Sequence, residues 1–205
     1  MLDREPLLHP TAIDDLRPTQ MTVGYREVER KQRDWRARKD ATGPDYLGRH
    51  MIPVVIGPKK RYWMIDNHHL VRALHEEGVK KILVHVIADL DHLEGRLFKT
   101  FMDNRNWLHP FDAKGRRQGI SKIPRHVADL ADDPYRSLAG ELRRAGGYAK
   151  EDTPFSEFLW ADFLRRHVSA DAIAQDFATA VEQALGIART SKAAYLPGWA
   201  GPHGG

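Results

Sequence analysis

Tyr62-Trp63-Met64-Ile65-Asp66-Asn67-His68-His69-Leu70-Val71-Arg72 reads as a strand that runs straight into a helix, with polar groups crowded at the junction. Tyr62 to Ile65 is aromatic and apolar, as a mostly buried strand should be. Asn67 is a good N-cap, and Leu70, Val71, Ala73 and Leu74 give the following helix a stripe for the core. Gly78 is placed to end that helix, and Ile82-Leu83-Val84-His85-Val86-Ile87 is the next strand. The result is a compact βαβ-like unit. A helix start just past a strand is a ready anion site. Two imidazoles, a carboxylate and an arginine at that spot suggest phosphate chemistry. Taken singly, Asp66 is accounted for as a cap, and His68, His69 and Arg72 as a solvated first turn. The four together point to a site. Neighbouring helix residues diverge by about 100°, so His68 and His69 are poorly placed to chelate one metal. His68 and Arg72, four apart, share a face.

Upstream, Ile52-Pro53-Val54-Val55-Ile56 is a strand whose Pro53 suggests an edge or a strand start. Gly57-Pro58-Lys59-Lys60 is a turn, so this strand and Tyr62–Ile65 form a hairpin. Tyr25–Asp40 carries seven basic and four acidic residues, with Val28 and Trp35 a heptad apart. It reads as an exposed amphipathic helix pinned by those two residues. Its basic stripe could contact nucleic acid, although a solvated face explains it more simply. Ala41 to His50 reads as a loop, and Ile13 to Leu16 as a short strand or turn. The order is helix, hairpin, short helix, strand: a small α/β or α+β domain.

From about Leu90 the pattern turns helical. Leu93, Leu97, Phe101 and Met102 line one face of a helix ending before Trp107. Phe111 to Arg117 is a loop. Asp133 as N-cap with Pro134 at N1 opens another helix, closed by Gly146-Gly147. Thr153-Pro154 opens a third, packed through Phe155, Phe158, Leu159 and Phe163, and a last one runs from Ser169 to Gly186. The boundaries expected are 8–90 for the α/β domain, 91–186 for a helical extension packed on it, and 187–205 for a mobile tail.

Composition limits the chemistry. The chain has 205 residues, 41% of them hydrophobic, with five tryptophans, enough for a real core. It has no cysteine, which excludes disulfides, thiolate metal sites and cysteine nucleophiles. There is no apolar run of about 18 residues, and Met1-Leu2-Asp3-Arg4-Glu5 lacks a signal-peptide core. A soluble, cytoplasmic protein without membrane association is expected. A formal charge of +4 allows anionic ligands but does not argue for DNA binding by itself.

The hairpin, Asp66-Asn67-His68-His69 and the short helix after it resemble the ParB/sulfiredoxin superfamily, whose members bind nucleotide phosphates at this junction. Several further stretches are similar to the putative ParB-like nuclease family. They are Leu16-Arg17-Pro18-Thr19-Gln20 with Val23-Gly24, Asp133-Pro134-Tyr135-Arg136-Ser137-Leu138, Ala145-Gly146-Gly147-Tyr148 and Phe158-Leu159-Trp160-Ala161-Asp162-Phe163. The similarity covers roughly residues 8–170. It implies a small mixed sheet of the ParB/sulfiredoxin type with a helical C-terminal extension. Sulfiredoxin activity is excluded, because it needs a cysteine in the junction motif. Partition ParB proteins carry an arginine-rich motif there and a helix-turn-helix domain downstream, neither of which is evident. The superfamily's free-serine kinases carry Asp-Gly-His-His, from which this chain departs by Asn67.

The resemblance therefore implies a nucleotide- or phosphate-binding enzyme catalysing phosphoryl transfer or phosphoester hydrolysis. Asp66, His69 and Glu27 would be catalytic, and Asn67, His68 and Arg72 would hold phosphate. Trp107 would contact the substrate, a small molecule bearing a hydroxyl or a phosphoester. Independently of the resemblance, Arg125 and His126 are polar groups of the 107–126 segment that could reach the bound phosphate of that substrate. Mg²⁺ would arrive with the nucleotide (ATP, ADP or CTP), with no tightly bound metal. The alternative is a non-catalytic ParB-like module binding DNA or protein.

Overall fold

The computed structural model describes residues 8–202, and it is a mixed α/β structure divided into two compact units. The first comprises the chain up to Val23 together with Val28–Ala131; the second comprises Gly24–Glu27 and the chain from Asp132 on. The longer stretches of the two units meet between Ala131 and Asp132. Residues 1–7 and the last three residues lie outside the described part.

The first unit is built on a five-stranded sheet of order β1-β6-β4-β5-β2. Its strands are β1 (Leu8–Ala12), β2 (Leu16–Arg17), β4 (Ile52–Gly57), β5 (Arg61–Met64) and β6 (Lys81–Asp89). Two-residue strands β3 (Thr22–Val23) and β7 (Ala131–Asp132) complete the set. β4 and β5 form the expected antiparallel hairpin, with Val55 opposite Trp63. β6 lies parallel to β4, and β2 parallel to β5 with Arg17 opposite Trp63. β1, unforeseen because Leu-His-Pro-Thr-Ala shows no strand pattern, pairs antiparallel with β6. Ile13–Asp15 is a 3₁₀ turn and only Leu16–Arg17 is extended.

Alternate strand residues face opposite sides, and both sides are covered. On one, Val54, Met64, Ile52 and Val84 pack with Val28, Trp35, Tyr46, Leu70, Val71 and Leu74. These come from α1 (Tyr25–Arg36), α2 (Lys39–Arg49) and α3 (His68–Glu76). α1 is shorter than expected, and the predicted loop Ala41–His50 is helix α2. Packing overrides the weak helix propensity of Gly43 and Pro44: Tyr46 is buried, its ring 5.6 Å from Trp35 and stacked on His50 at 4.3 Å.

On the other side, Val55 packs with Phe98, Met102, Leu108 and Ile123. Helix α4 (Gly95–Asn104) therefore buries Phe98 and Met102, while Leu97 and Phe101, expected on the inner face, are 56% and 38% exposed. Both pairs have i,i+4 spacing, so periodicity could not choose between them. Gly57 admits the inner pair, since a Cβ there would lie 2.6 Å from the Phe98 ring.

The second unit has its own core, centred on Leu138, Leu142, Trp160, Phe163, Leu164, Ala180 and Ala184. Helix α5 (Pro134–Arg144) starts as expected: Asp133 accepts the Tyr135 N–H at 3.0 Å. α6 (Ser156–Arg165) begins after a left-handed Phe155 rather than at Pro154. It packs through Trp160, Phe163 and Leu164; Leu159 is 43% exposed. Trp160 sets that face, stacked on Tyr148 at 4.3 Å and donating its indole N–H to the Pro197 carbonyl at 2.8 Å. The predicted helix Ser169–Gly186 is two helices, α7 (Ala170–Gln175) and α8 (Phe177–Ala188). Asp176 is extended between them and caps α8, accepting the N–H groups of Ala178 and Thr179, each at 3.1 Å. The segment after Gly186, expected to be mobile, is packed as far as residue 202 is described. Ala193 and Leu196 are buried, and Trp199 donates to the Ala188 carbonyl at 2.9 Å.

Candidate phosphate site at the β5–α3 junction

β5 leaves the sheet at Met64, and two residues later the chain turns into α3. The turn is made at Asn67, whose φ of 63° and ψ of 25° are left-handed. Asparagine tolerates that region better than any other residue bearing a Cβ, and glycine better still. Asn67 stands where a cap was expected, but its side chain does not cap α3. Its Nδ2 points to the Met51 carbonyl at 3.5 Å. Its backbone N–H is taken instead by Asp66 Oδ1 at 2.6 Å, which fixes an otherwise exposed carboxylate at the mouth of the turn.

The two histidines differ completely. His68 is 4% exposed. Its Nε2 accepts the Thr19 N–H at 3.1 Å, so the ring proton sits on Nδ1. The Thr19 hydroxyl, 3.4 Å from the same nitrogen, donates to the Met64 carbonyl at 2.8 Å. His69, half-buried, is the next residue round the helix, about 100° away.

Arg72, on the face of His68, also turns to the protein. Its Nη1 donates to the carbonyls of Val127 (3.1 Å), Ala128 (2.6 Å) and Leu130 (3.0 Å), and its Nε to Glu76 at 2.5 Å. The His68/Arg72 face of α3 thus holds two segments, 17–20 and 125–130, in place. Asp66, Asn67 and His69 are the members of the motif gathered at the turn itself.

The other expected residues lie elsewhere. Trp107 is half-buried, its ring 6.1 Å from Phe101 with the Arg105 guanidinium 5.1 Å over it. Arg125 and His126 are exposed. Glu27 belongs to the second unit, where Arg144 Nη1 pairs with its carboxylate at 2.6 Å. Arg17 is a residue that sequence reading missed. Arg17 Nη1 donates to the Arg125 carbonyl at 3.4 Å. Burial first, then the charges of Arg61 and Arg125, hold Arg17 below the usual arginine range. A lone arginine on a two-residue strand gives no sequence signal of such company.

Among the described residues no group of three or more His, Asp or Glu is placed to hold a metal ion. No helix among them is long and apolar enough to cross a membrane.

The family model described as "Putative ParB-like nuclease" matches residues 9–166. The crystal structure of protein Atu1540 from Agrobacterium tumefaciens superposes with a TM-score of 0.91 at 51% identity, covering 96% of this chain and 98% of that one. No curated protein matches the chain.

Proposed function

The chain belongs to the putative ParB-like nuclease family, and from that premise we propose that it is a phosphate-handling enzyme. It acts at the Asp66–His69 turn by phosphoryl transfer from a nucleotide or by phosphoester hydrolysis. The observation that carries this reading is the pinned Asp66 carboxylate, held by the Asn67 N–H at 2.6 Å on a left-handed turn that opens α3. A carboxylate beside a helix start couples a proton acceptor to an anion site. The dipole at the α3 start favours the phosphate oxygens, an electrostatic task. Asp66 accepts the proton of the attacking hydroxyl or water, and His69, next along the helix, stabilises or protonates the transferred group. His68 and Arg72 act one step back by holding the segments around the turn. Glu27, paired with Arg144, is given no role. Mg²⁺, where the reaction uses it, neutralises phosphate charge and enters with the nucleotide.

The left-handed Asn67 supports the same reading. A φ of 63° is a conformation that glycine adopts freely and asparagine tolerates, so an Asp-Gly-His-His motif could follow the same backbone path.

Calorimetric titration with ATP, ADP and CTP in the presence of Mg²⁺, on the parent and on Asp66→Asn, tests the proposal. The parent should bind at least one of them saturably. Asp66→Asn should keep its melting temperature and lose turnover by about 100-fold or more. Absence of binding, or Asp66→Asn with parental turnover, would overturn the proposal.

A further inference from the structure

We propose that Arg17, Arg61 and Arg125 form a second anion site that holds the backbone phosphates of a single nucleic-acid strand running away from the β5–α3 turn. Three observations meet here. In the parallel pairing of β2 with β5, Arg17 lies opposite Trp63. Residues opposite and two apart share a face, so Arg17 and Arg61 are on one side of the sheet edge. The Arg17 guanidinium reaches the Arg125 carbonyl at 3.4 Å, which brings the third arginine alongside. Among the described residues no carboxylate forms an ion pair with any of the three.

Gathering like charges costs free energy; burial first, and then the charges of Arg61 and Arg125, lower the Arg17 pKa. The arrangement is nevertheless built rather than incidental. The Arg17 segment is anchored two residues on, where Thr19 bonds His68; the Arg125 segment is anchored two residues on, where Val127 bonds Arg72. Both anchors stand on the first turns of α3. One helix therefore positions two of the three guanidiniums and also carries His69. Guanidinium is the side chain best matched to phosphate geometry.

Spacing selects the ligand. Arg61 and Met64 are the two ends of β5, separated by three strand rises, about 10 Å. A ligand with a phosphate at the turn and another at Arg61 must extend over that length. Successive phosphates advance about 3.4 Å along the axis in a stacked duplex strand and further in an extended one, so the interval takes roughly two or three nucleotides. Lys59 and Lys60, exposed and next to Arg61, continue the charge in the same direction.

The inference rests on the phosphate reading of the turn for the direction of the strand and for the span that selects it. Its test is binding of a fluorescein-labelled oligodeoxythymidine to the full chain, followed by anisotropy across a salt series. Arg17→Ala, Arg61→Ala and Arg125→Ala should each weaken binding at least about 5-fold. The slope of log affinity on log salt should shrink by about 0.7 for each guanidinium–phosphate pair removed. Lys192→Ala, an exposed change of equal charge in the second unit, should bind as the parent does. Should Arg17→Ala unfold, the exposed Arg61→Glu and Arg125→Glu carry the test. Parental affinity and slope in the arginine variants, or an equal loss in Lys192→Ala, overturns the proposal. Asp66→Asn measured alongside keeps the two readings apart. Lost turnover with arginine variants that bind normally defeats this inference alone. Weakened arginine variants with an active Asp66→Asn defeat the catalytic reading alone.

Discussion

Thr19 donates its backbone N–H to Nε2 of His68 at 3.1 Å. That bond decides which of two adjacent histidines belongs to the core, and it ties the end of β2 to the start of α3. His68→Ala would leave a buried N–H without its acceptor and empty the space of a ring. We expect a loss of about 2–3 kcal/mol in urea unfolding, near the upper range for an orphaned buried donor. A change below about 0.5 kcal/mol would show that Thr19 finds another partner and that the bond is incidental.

Asn67 gives a conformational prediction. Its left-handed φ is costly for most residues bearing a Cβ, about 1–2 kcal/mol. Asn67→Gly should leave stability and any turnover within about 0.5 kcal/mol of the parent, whereas Asn67→Val should lose about 1–2 kcal/mol. Equal stability of the two variants would mean that the turn relaxes out of the left-handed region.

Much of this junction is legible in the sequence. Tyr62–Ile65, Gly57-Pro58 and Gly78 announce the hairpin, the helix and its end, because their apolar runs and turn residues agree with one another. Other features depend on distant partners. β1 exists because β6 offers it an edge, and Pro10 hides it from any pattern. α2 exists because Tyr46 finds Trp35, against the local preference of Gly43-Pro44. In α4 two equally spaced apolar pairs compete, and Gly57, on β4, settles the choice. The candidate site follows the same rule. Asp-Asn-His-His is visible as a motif, yet only Thr19 distinguishes His68 from His69, and only Val127 to Leu130 reveals what Arg72 does.

Arg72 should behave as a tether. Its guanidinium donates through Nη1 to three carbonyls and through Nε to Glu76, two directions that the single ammonium of lysine cannot serve at once. Arg72→Lys is expected to lose about 1–3 kcal/mol and to make the 125–130 segment cleavable by trypsin under native conditions. If stability holds while nucleotide affinity per folded molecule collapses, Arg72 is a phosphate ligand and the tether is secondary.

Asp112 supplies a pH prediction. The Arg116 N–H above all, then the Lys114 N–H and the Gln118 side chain, hold its carboxyl below the ordinary value of 3.8. A carboxyl depressed in the folded state stabilises above its unfolded pKa and loses that contribution as pH falls through the folded one. The protection of the Lys114 and Arg116 amides, taken relative to their intrinsic exchange rates, should therefore fall below about pH 4. Asp112→Asn should flatten that dependence. Parental protection that is constant across this range would remove Asp112 as the loop's clasp.

The unit boundary can be tested by truncation. A chain ending at Asp91 keeps every strand of the five-stranded sheet but loses Phe98, Met102, Leu108 and Ile123, which cover Val55 on one of its faces. Three of these are no more than 4% exposed in the intact chain. Burial of a large apolar side chain is worth about 1.5–3 kcal/mol, and the sum is comparable with the entire stability of a domain of that size. The fragment should aggregate or unfold without cooperativity. A chain ending at Ala131 retains those four residues, and also the Val127, Ala128 and Leu130 carbonyls that anchor Arg72. It should unfold cooperatively in urea and bind nucleotide as the full chain does, because Asp66, Asn67 and His69 all lie within the first unit. Cooperative folding of the shorter fragment would show that the α4 face is dispensable. Failure of the longer one would show that the first unit needs Asp132 and the residues after it in order to fold.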